Sequence, residues 1–179
     1  MILSAQSIIT AQNDSTRKRL IEPFHHRTVV GGRSFGLSSC GYDVRVDLSS
    51  INQTHVILQR PQFYETERGR FGPTHSHDFM LASTIEHFNM PDYLMGIVHD
   101  KSSWARLGLT VQNTVIEPGW RGFLTLELTY QGDDQGEVRI RHGDPIAQII
   151  FHKLDEPTEQ PYSGKYQDQE RGPQEARFE

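Results

Sequence analysis

The chain has a single cysteine among its 179 residues, Cys40, so no intrachain disulfide can form and a reducing, cytoplasmic setting is the expectation. No apolar run approaches the roughly 20 residues of a membrane-spanning helix. The opening MILSAQSIITAQ has neither the basic n-region nor the h-region of a signal peptide. Basic runs are missing as well. Eighteen Lys and Arg stand against 23 Asp and Glu, for a formal net charge of −5 with nine neutral His. That excludes a broad nucleic-acid-binding face, which needs clustered cations to neutralise phosphates, but leaves room for one small anionic ligand. Several catalytic signatures are also absent. There is no Walker loop and no G-x-G-x-x-G, and no nucleophile elbow. The zinc-deaminase pattern of H-x-E with P-C-x-x-C is missing, and one cysteine could not complete it. The histidines at 25–26 and in THSH (74–77) lack a visible third ligand, so no metal site is expected.

What is present is a series of strand patterns in one domain. Hydrophobic residues make up 35% of the chain, a modest core for this length that leaves a share for loop and tail. SAQSIITAQ begins with a cap-competent serine and predicts a short amphipathic helix. YDVRVDL (42–48) alternates, with Val44 and Val46 on one face and Asp43, Arg45 and Asp47 on the other. HVILQ (55–59), DFMLASTIEHF (78–88), YLMGIVHD (93–100) and FLTLELTY (123–130) are strand-like, with turn signals at NMPD and EPGW. The polar segment 61–78 is punctuated by Gly and Pro and predicts a loop. EVRIRHGDPIAQIIFHKL (137–154) predicts a hairpin around HGDP. Many short strands and one early helix predict a mainly β barrel or sandwich over residues 1–161. Residues 162–179 are almost wholly polar. Such a tail is either disordered or a lid that orders over a ligand.

Three places carry candidate chemistry. In KSSWARLGL (101–109), Ser102 or Ser103 could cap a short helix that Gly108 ends. The same turn, with Lys101 and Arg106, could instead be an anion site. In FLTLELTY, Leu124, Leu126, Leu128 and Tyr130 share one face, while Phe123, Thr125, Glu127 and Thr129 share the other. Glu127 is then either a carboxylate on a solvated face or, facing a pocket, a proton carrier. In the tail, Lys165, Tyr166, Gln167, Gln169 and Arg171 are groups suited to a ligand.

Seven segments then fall in order: ILS, IEPF (21–24), GLSSCGYDVRV (36–46), KSSWARLGL, IEPGWRGFLTLEL (116–128), PIAQIIF (145–151) and SGKYQDQ (163–169). Together they resemble the trimeric dCTP deaminase and dUTPase superfamily, and TLEL with the GKYQ tail is closer to its dCTP deaminase branch. The resemblance implies a dUTPase-like distorted β-barrel, jelly-roll-like, with a short N-terminal helix and a flexible C-terminal tail. It implies hydrolysis of dCTP to dUTP and ammonia, with Glu127 as proton shuttle. Lys101, Ser102, Ser103, Trp104, Ala105 and Arg106 would form the nucleotide-binding turn, with Ser102 and Arg106 also framing Glu127. Thr125 and Leu126 would line the nucleotide, Gln148 would fall on the PIAQ strand, and Tyr162, Lys165 and Gln169 would close on sugar and triphosphate. The resemblance further implies a homotrimer with sites shared between subunits, magnesium held through the substrate triphosphate, and no zinc. Glu117 stands where dUTPases carry a water-activating aspartate, and its extra methylene moves the carboxylate by roughly 1.5 Å. That weakens the alternatives of a dUTP diphosphatase or a bifunctional enzyme forming dUMP. A non-catalytic nucleotide-binding regulatory trimer is the remaining alternative.

Overall fold

In the computed structural model, which describes residues 1–60, 63–65, 71–73, 78–133 and 136–178, the amino-terminal helix forms where its cap predicts. Helix α1 (Ala5–Gln12) opens at Ser4, whose hydroxyl accepts the Ser7 amide at 3.4 Å, and it buries Ile8 and Gln12. Gln12 substitutes for backbone: its side chain donates to the Ile21 carbonyl and accepts from the Ile21 amide, both at 2.9 Å. Those two bonds clip α1 to strand β1 (Ile21–Glu22).

The chain continues through the hairpin β2 (Thr28–Val30) and β3 (Arg33–Leu37), then β4 (Tyr42–Asp47), β5 (His55–Gln59), β6 (Phe63–Glu65), β7 (Phe71–Pro73), β8 (Phe79–Asn89) and β9 (Leu94–Asp100). A single helical turn, α2 (Ser102–Ala105), leads to β10 (Leu109–Val111), β11 (Val115–Ile116), β12 (Arg121–Tyr130), β13 (Glu137–Arg141) and β14 (Pro145–Lys153). The main sheet runs β10-β12-β8-β4-β14-β9-β11. It curls into a half-barrel, the mainly β architecture that the strand patterns predict. The core inside the curl includes Tyr42, Val44, Val46, Phe88, Leu126, Leu128, Ile149 and Phe151, all nearly or fully buried. Among the described residues no helix is long and apolar enough to cross a membrane.

Four expectations are corrected. First, the alternation in β4 does not separate buried from exposed residues: Asp43 and Asp47 are buried along with the valines, because Lys101 and Gln148 cover Asp43 and Arg171 covers Asp47. Second, the segment 61–78 is not all loop, since β6 and β7 pair antiparallel within it. Third, β13 and β14 do not form a hairpin. The chain turns at HGDP, where the Asp144 amide reaches the Arg141 carbonyl at 3.0 Å, but β13 then pairs with β5 while β14 pairs with β4 and β9. Fourth, neither serine caps α2: Lys101 holds the N-cap position and makes no side-chain cap hydrogen bond.

Gly108 does end the α2 turn, with φ +83, and it leaves no room for a side chain. A Cβ there would lie 2.6 Å from the backbone of Gly132. Gly108→Ala therefore combines left-handed strain with a backbone collision. It should destabilise the fold by at least about 1–2 kcal/mol. An unchanged urea midpoint would refute this account of the turn.

Candidate active site

Strand β12 alternates as its sequence predicts, with Leu124, Leu126, Leu128 and Tyr130 buried and the intervening residues partly open. Its pairing with β8 sets Glu127 opposite Leu81 and Thr129 opposite Phe79. Glu127 faces a cavity of about 530 Å³, walled also by Phe79, Leu81, Ile116, Trp120, Leu124 and Thr125. Glu117 stands exposed at its edge, placed by the turn in which the Trp120 amide bonds the Glu117 carbonyl at 3.1 Å.

The tail covers this cavity as a strap. Tyr162, Tyr166, Gln169, Gln174, Glu175 and Ala176 complete its lining. Trp120 Nε1 donates to the Tyr166 carbonyl at 2.7 Å, the Arg121 amide donates to Gln167 Oε1 at 3.0 Å, and Arg121 pairs with Asp168. The Phe123 amide bonds the Gln169 carbonyl at 3.0 Å in a parallel bridge between Gly122 and Gln169. Gln169 Nε2 and the Gln174 amide both donate to Thr125 Oγ1.

Within this enclosure Glu127 Oε2 is sealed from solvent and has no hydrogen-bond partner among the described residues. Burial pushes its carboxyl pKa above the ordinary value, and a backbone hydrogen bond opposes this only in part. A carboxylate set in a cavity with its proton affinity raised can take a proton and return it. Of the two sequence readings of Glu127, the pocket-facing one describes its place.

The other candidates divide between two locations. Thr125, Glu117, Tyr162 and Gln169 join Glu127 at the cavity. Lys101, Ser102, Ser103, Ala105, Arg106 and Gln148 do not line it. Lys101 Nζ instead reaches Asp43 Oδ2 at 2.5 Å and Ser34 Oγ at 3.4 Å. Gln148 Nε2 donates to Asp43 Oδ1 at 3.1 Å and Ser38 Oγ at 3.2 Å. Ser102, Ser103, Ala105 and Arg106 are exposed. Trp104 and Leu126 serve the core: Trp104 is buried, with Nε1 donating to the Pro145 carbonyl at 2.5 Å and the Arg33 guanidinium 4.3 Å from its ring. Lys165 is exposed and turns away from the cavity, bonding the Arg177 carbonyl. Among the described residues no group of three or more His, Cys, Asp or Glu could hold a metal ion. THSH lies outside the described residues.

Sequence reasoning missed Phe79, Leu81, Gln174 and Glu175. The period of two in FMLASTIEHF puts Phe79 and Leu81 on one face, but only the pairing of β8 with β12 places that face over Glu127. Nothing in QEA distinguishes cavity-lining residues from other polar tail.

The site is a cavity on a curled β-sheet that holds one buried carboxylate oxygen without a hydrogen-bond partner among the described residues. The chain belongs to the dCTP deaminase-like family, whose model matches residues 2–154. It is similar to the dCTP deaminase of Campylobacter concisus (strain 13826), 37% identical over 167 residues that cover 87% of this chain and 89% of that protein. It is similar also to the dCTP deaminase of Anaplasma phagocytophilum (strain HZ), 34% identical over 161 residues, 84% of this chain and 86% of the relative. Among solved structures, the 2'-deoxycytidine 5'-triphosphate deaminase from Agrobacterium tumefaciens aligns with TM-score 0.54 at 16% identity, over 86% of this chain and 47% of that one. That likeness concerns the fold alone.

The burial of Glu127 has a consequence for stability. A carboxyl whose pKa is raised on folding binds its proton more tightly in the native state. Ionised, it subtracts stability above that raised value, and the subtraction vanishes as pH falls below the ordinary 4.5. Glu127→Gln should therefore melt higher than the wild type at pH 8, with the advantage shrinking toward pH 4. Parallel melting temperatures at both pH values would show that the carboxylate carries no burial cost.

Proposed function

We propose that the chain hydrolyses dCTP to dUTP and ammonia, with Glu127 as the proton shuttle. The observation that carries this reading is Glu127 Oε2, a buried, unpartnered carboxylate oxygen in a cavity. The names of the relatives supply the substrate. Water adds to C4 of cytosine, and Glu127 takes its proton and passes it to N3. The carboxylate then moves the remaining hydroxyl proton to the amino group, C4–N breaks, and ammonia leaves. The raised proton affinity favours the first transfer, while the cavity walls hold water and base in reacting geometry. Thr125 and the strap residues Tyr162 and Gln169 line the nucleotide. Magnesium travels on the substrate triphosphate, where it neutralises phosphate charge and requires no protein carboxylate cage. The single exposed cysteine suits a cytoplasmic setting.

The working unit in this reading is a homotrimer whose sites are shared. Its support is the division described above: Ser102, Ser103 and Arg106 stand exposed and away from the cavity. Arg106 has no ion pair or ring contact among the described residues, and the neighbouring Leu107 is 53% exposed. An apolar side chain beside free hydroxyls and a free guanidinium suits contact with another subunit, where that turn would meet the Glu127 cavity.

Glu127→Gln should bind dCTP and lower ammonia release by at least about 100-fold, because the amide cannot relay a proton. Ammonia and pyrophosphate measured separately from dCTP and from dUTP decide the reaction. Pyrophosphate release would replace deamination with phosphate hydrolysis, and release of neither would leave a binding protein. Subunit sharing has its own test. Arg106→Ala and Glu127→Gln, each inactive alone, should regain activity when unfolded and refolded together. With random mixing about a quarter of the sites unite both wild-type residues. A mixture no more active than its components would confine the site to one chain.

A further inference from the structure

Beneath the strap, Asp47 ends β4 with its side chain fully buried. Its Oδ1 accepts from Ser49, from the amide at 2.9 Å and the hydroxyl at 2.6 Å. Its Oδ2 has no hydrogen-bond partner among the described residues. His142 Nδ1 lies 3.4 Å from Oδ1, but the same nitrogen accepts the Leu48 amide at 3.2 Å. That nitrogen is committed to the Leu48 amide and does not donate to Asp47. Among the described residues, the cation at ion-pair distance from this carboxylate is Arg171 of the strap, with Nε 3.2 Å from Oδ2.

We infer that Arg171 is a positioning residue, whose ion pair with the buried Asp47 seats the carboxy-terminal strap over the Glu127 cavity. An exposed ion pair contributes little because water solvates both ions when it opens. Asp47 differs. With the strap seated its carboxylate is fully buried and faces Arg171 at Oδ2, so water does not screen that end of the pair, and lifting the strap takes the cation away from it. Arg171 follows Gln169 by two residues and precedes Gln174 by three, so it holds the middle of the stretch that meets Thr125 twice. The Gly172 amide continues the contact onto buried Ser83, with Oγ at 3.4 Å. The Arg171 guanidinium also lies 5.4 Å from the Phe123 ring. Strand β12 is shaped for this closeness: at Gly122, with φ +144, a Cβ would fall 2.7 Å from Gln169 N. The ion pair thus sets the register of the strap residues that line the cavity. Its catalytic consequence rests on the deaminase reading; the seating itself does not.

Amide hydrogen exchange on the full chain without nucleotide, read by mass spectrometry, tests the seating in wild type, Arg171→Ala, Arg171→Lys and Asp47→Asn. In Arg171→Ala the amides of residues 165–177 should exchange at least about tenfold faster. Arg171→Lys, which keeps the charge without the guanidinium geometry, should fall between. The melting temperature should fall in Arg171→Ala, because the buried Asp47 carboxylate loses its cation. With dCTP, Arg171→Ala should raise KM roughly tenfold and change kcat less than about twofold, since Glu127 and its strand walls remain in place. Asp47→Asn should loosen the same amides; if that variant does not fold, Arg171→Ala decides alone. Strap exchange equal to wild type in Arg171→Ala overturns the inference, whether or not the chain turns over dCTP. Faster exchange with an unchanged KM overturns the positioning role. Faster exchange in a chain that releases no ammonia retains the seating and overturns the deaminase reading instead.

Discussion

Antiparallel pairing of β12 with β8 commits both faces of β12 at once. With Glu127 opposite Leu81 and Leu128 opposite Met80, the leucines enter the half-barrel and Glu127 faces the cavity. A slip of one residue would bury Glu127 in the core and expose four large apolar groups. The register also shifts between Phe123 and Thr125, where β8 has more residues than β12 and bulges. Inside that bulge Thr84 Oγ1 accepts the Leu124 amide at 3.0 Å and donates to the Glu86 carbonyl at 2.7 Å. The same stretch of β12 lies beside Gln169 of the strap. Core, cavity and cover are therefore fixed by one strand pair, and the irregularity in it falls where the strap lands.

Among the described residues Asp43, Asp47 and Glu86 are buried carboxylates, and Glu127 is partly buried with one oxygen sealed from solvent. Glu86 is fully buried and receives the Arg45 amide at 2.9 Å and Arg45 Nε at 2.8 Å. Asp43 is held by Lys101 and Gln148. Asp47 is held by Ser49 and Arg171. Asp47 Oδ2 and Glu127 Oε2 both lack a hydrogen bond among the described residues, and of the two Asp47 has a cation beside it. A buried charge without a partner is expensive, and the three compensated acids show that this fold readily supplies cations and amides where a carboxylate serves structure. The exception at Glu127 is the observation on which the proton-shuttle proposal rests. Glu86, whose burial also pushes its pKa up, makes the contrast clear: its oxygens are occupied, so it has nothing to offer a ligand.

Local pattern made a large part of this legible. The period of two in FLTLELTY located Glu127 and its face, Ser4 located α1, and Gly108 located the end of the α2 turn. What was not legible required long-range pairing. The alternation of YDVRVDL promised a polar face for Asp43 and Asp47, yet Lys101, Gln148 and Arg171 cover them from distant parts of the chain, and such coverage is not a local property. HGDP is a true turn, but β13 and β14 leave it for different sheets. Trp104 stands between residues of a binding turn, and only the packed structure shows that its indole belongs to the core. The distant pairs Arg171–Asp47 and Lys101–Asp43 are invisible to spacing for the same reason.

The cations of the fold differ in how far they are already committed to carboxylates. Lys101 is already engaged by Asp43, within a network that also holds Gln148, Ser34 and Ser38. Arg121 is engaged by Asp168 and Arg33 by Asp144. Charges paired in this way are held in place, but each must give up or share its carboxylate before it can meet a phosphate. Arg106 has no such commitment among the described residues. It extends from the end of a rigid turn, anchored by Trp104 in the core and by the Asp100 carboxylate on the Val111 amide at 2.7 Å. A free guanidinium on an anchored turn can be offered to a ligand without first breaking a pair. One chain therefore presents a cavity with a buried carboxylate under its strap and, elsewhere on its surface, an anchored cationic turn. The shared-site proposal joins them by setting the cavity of one copy against the turn of another.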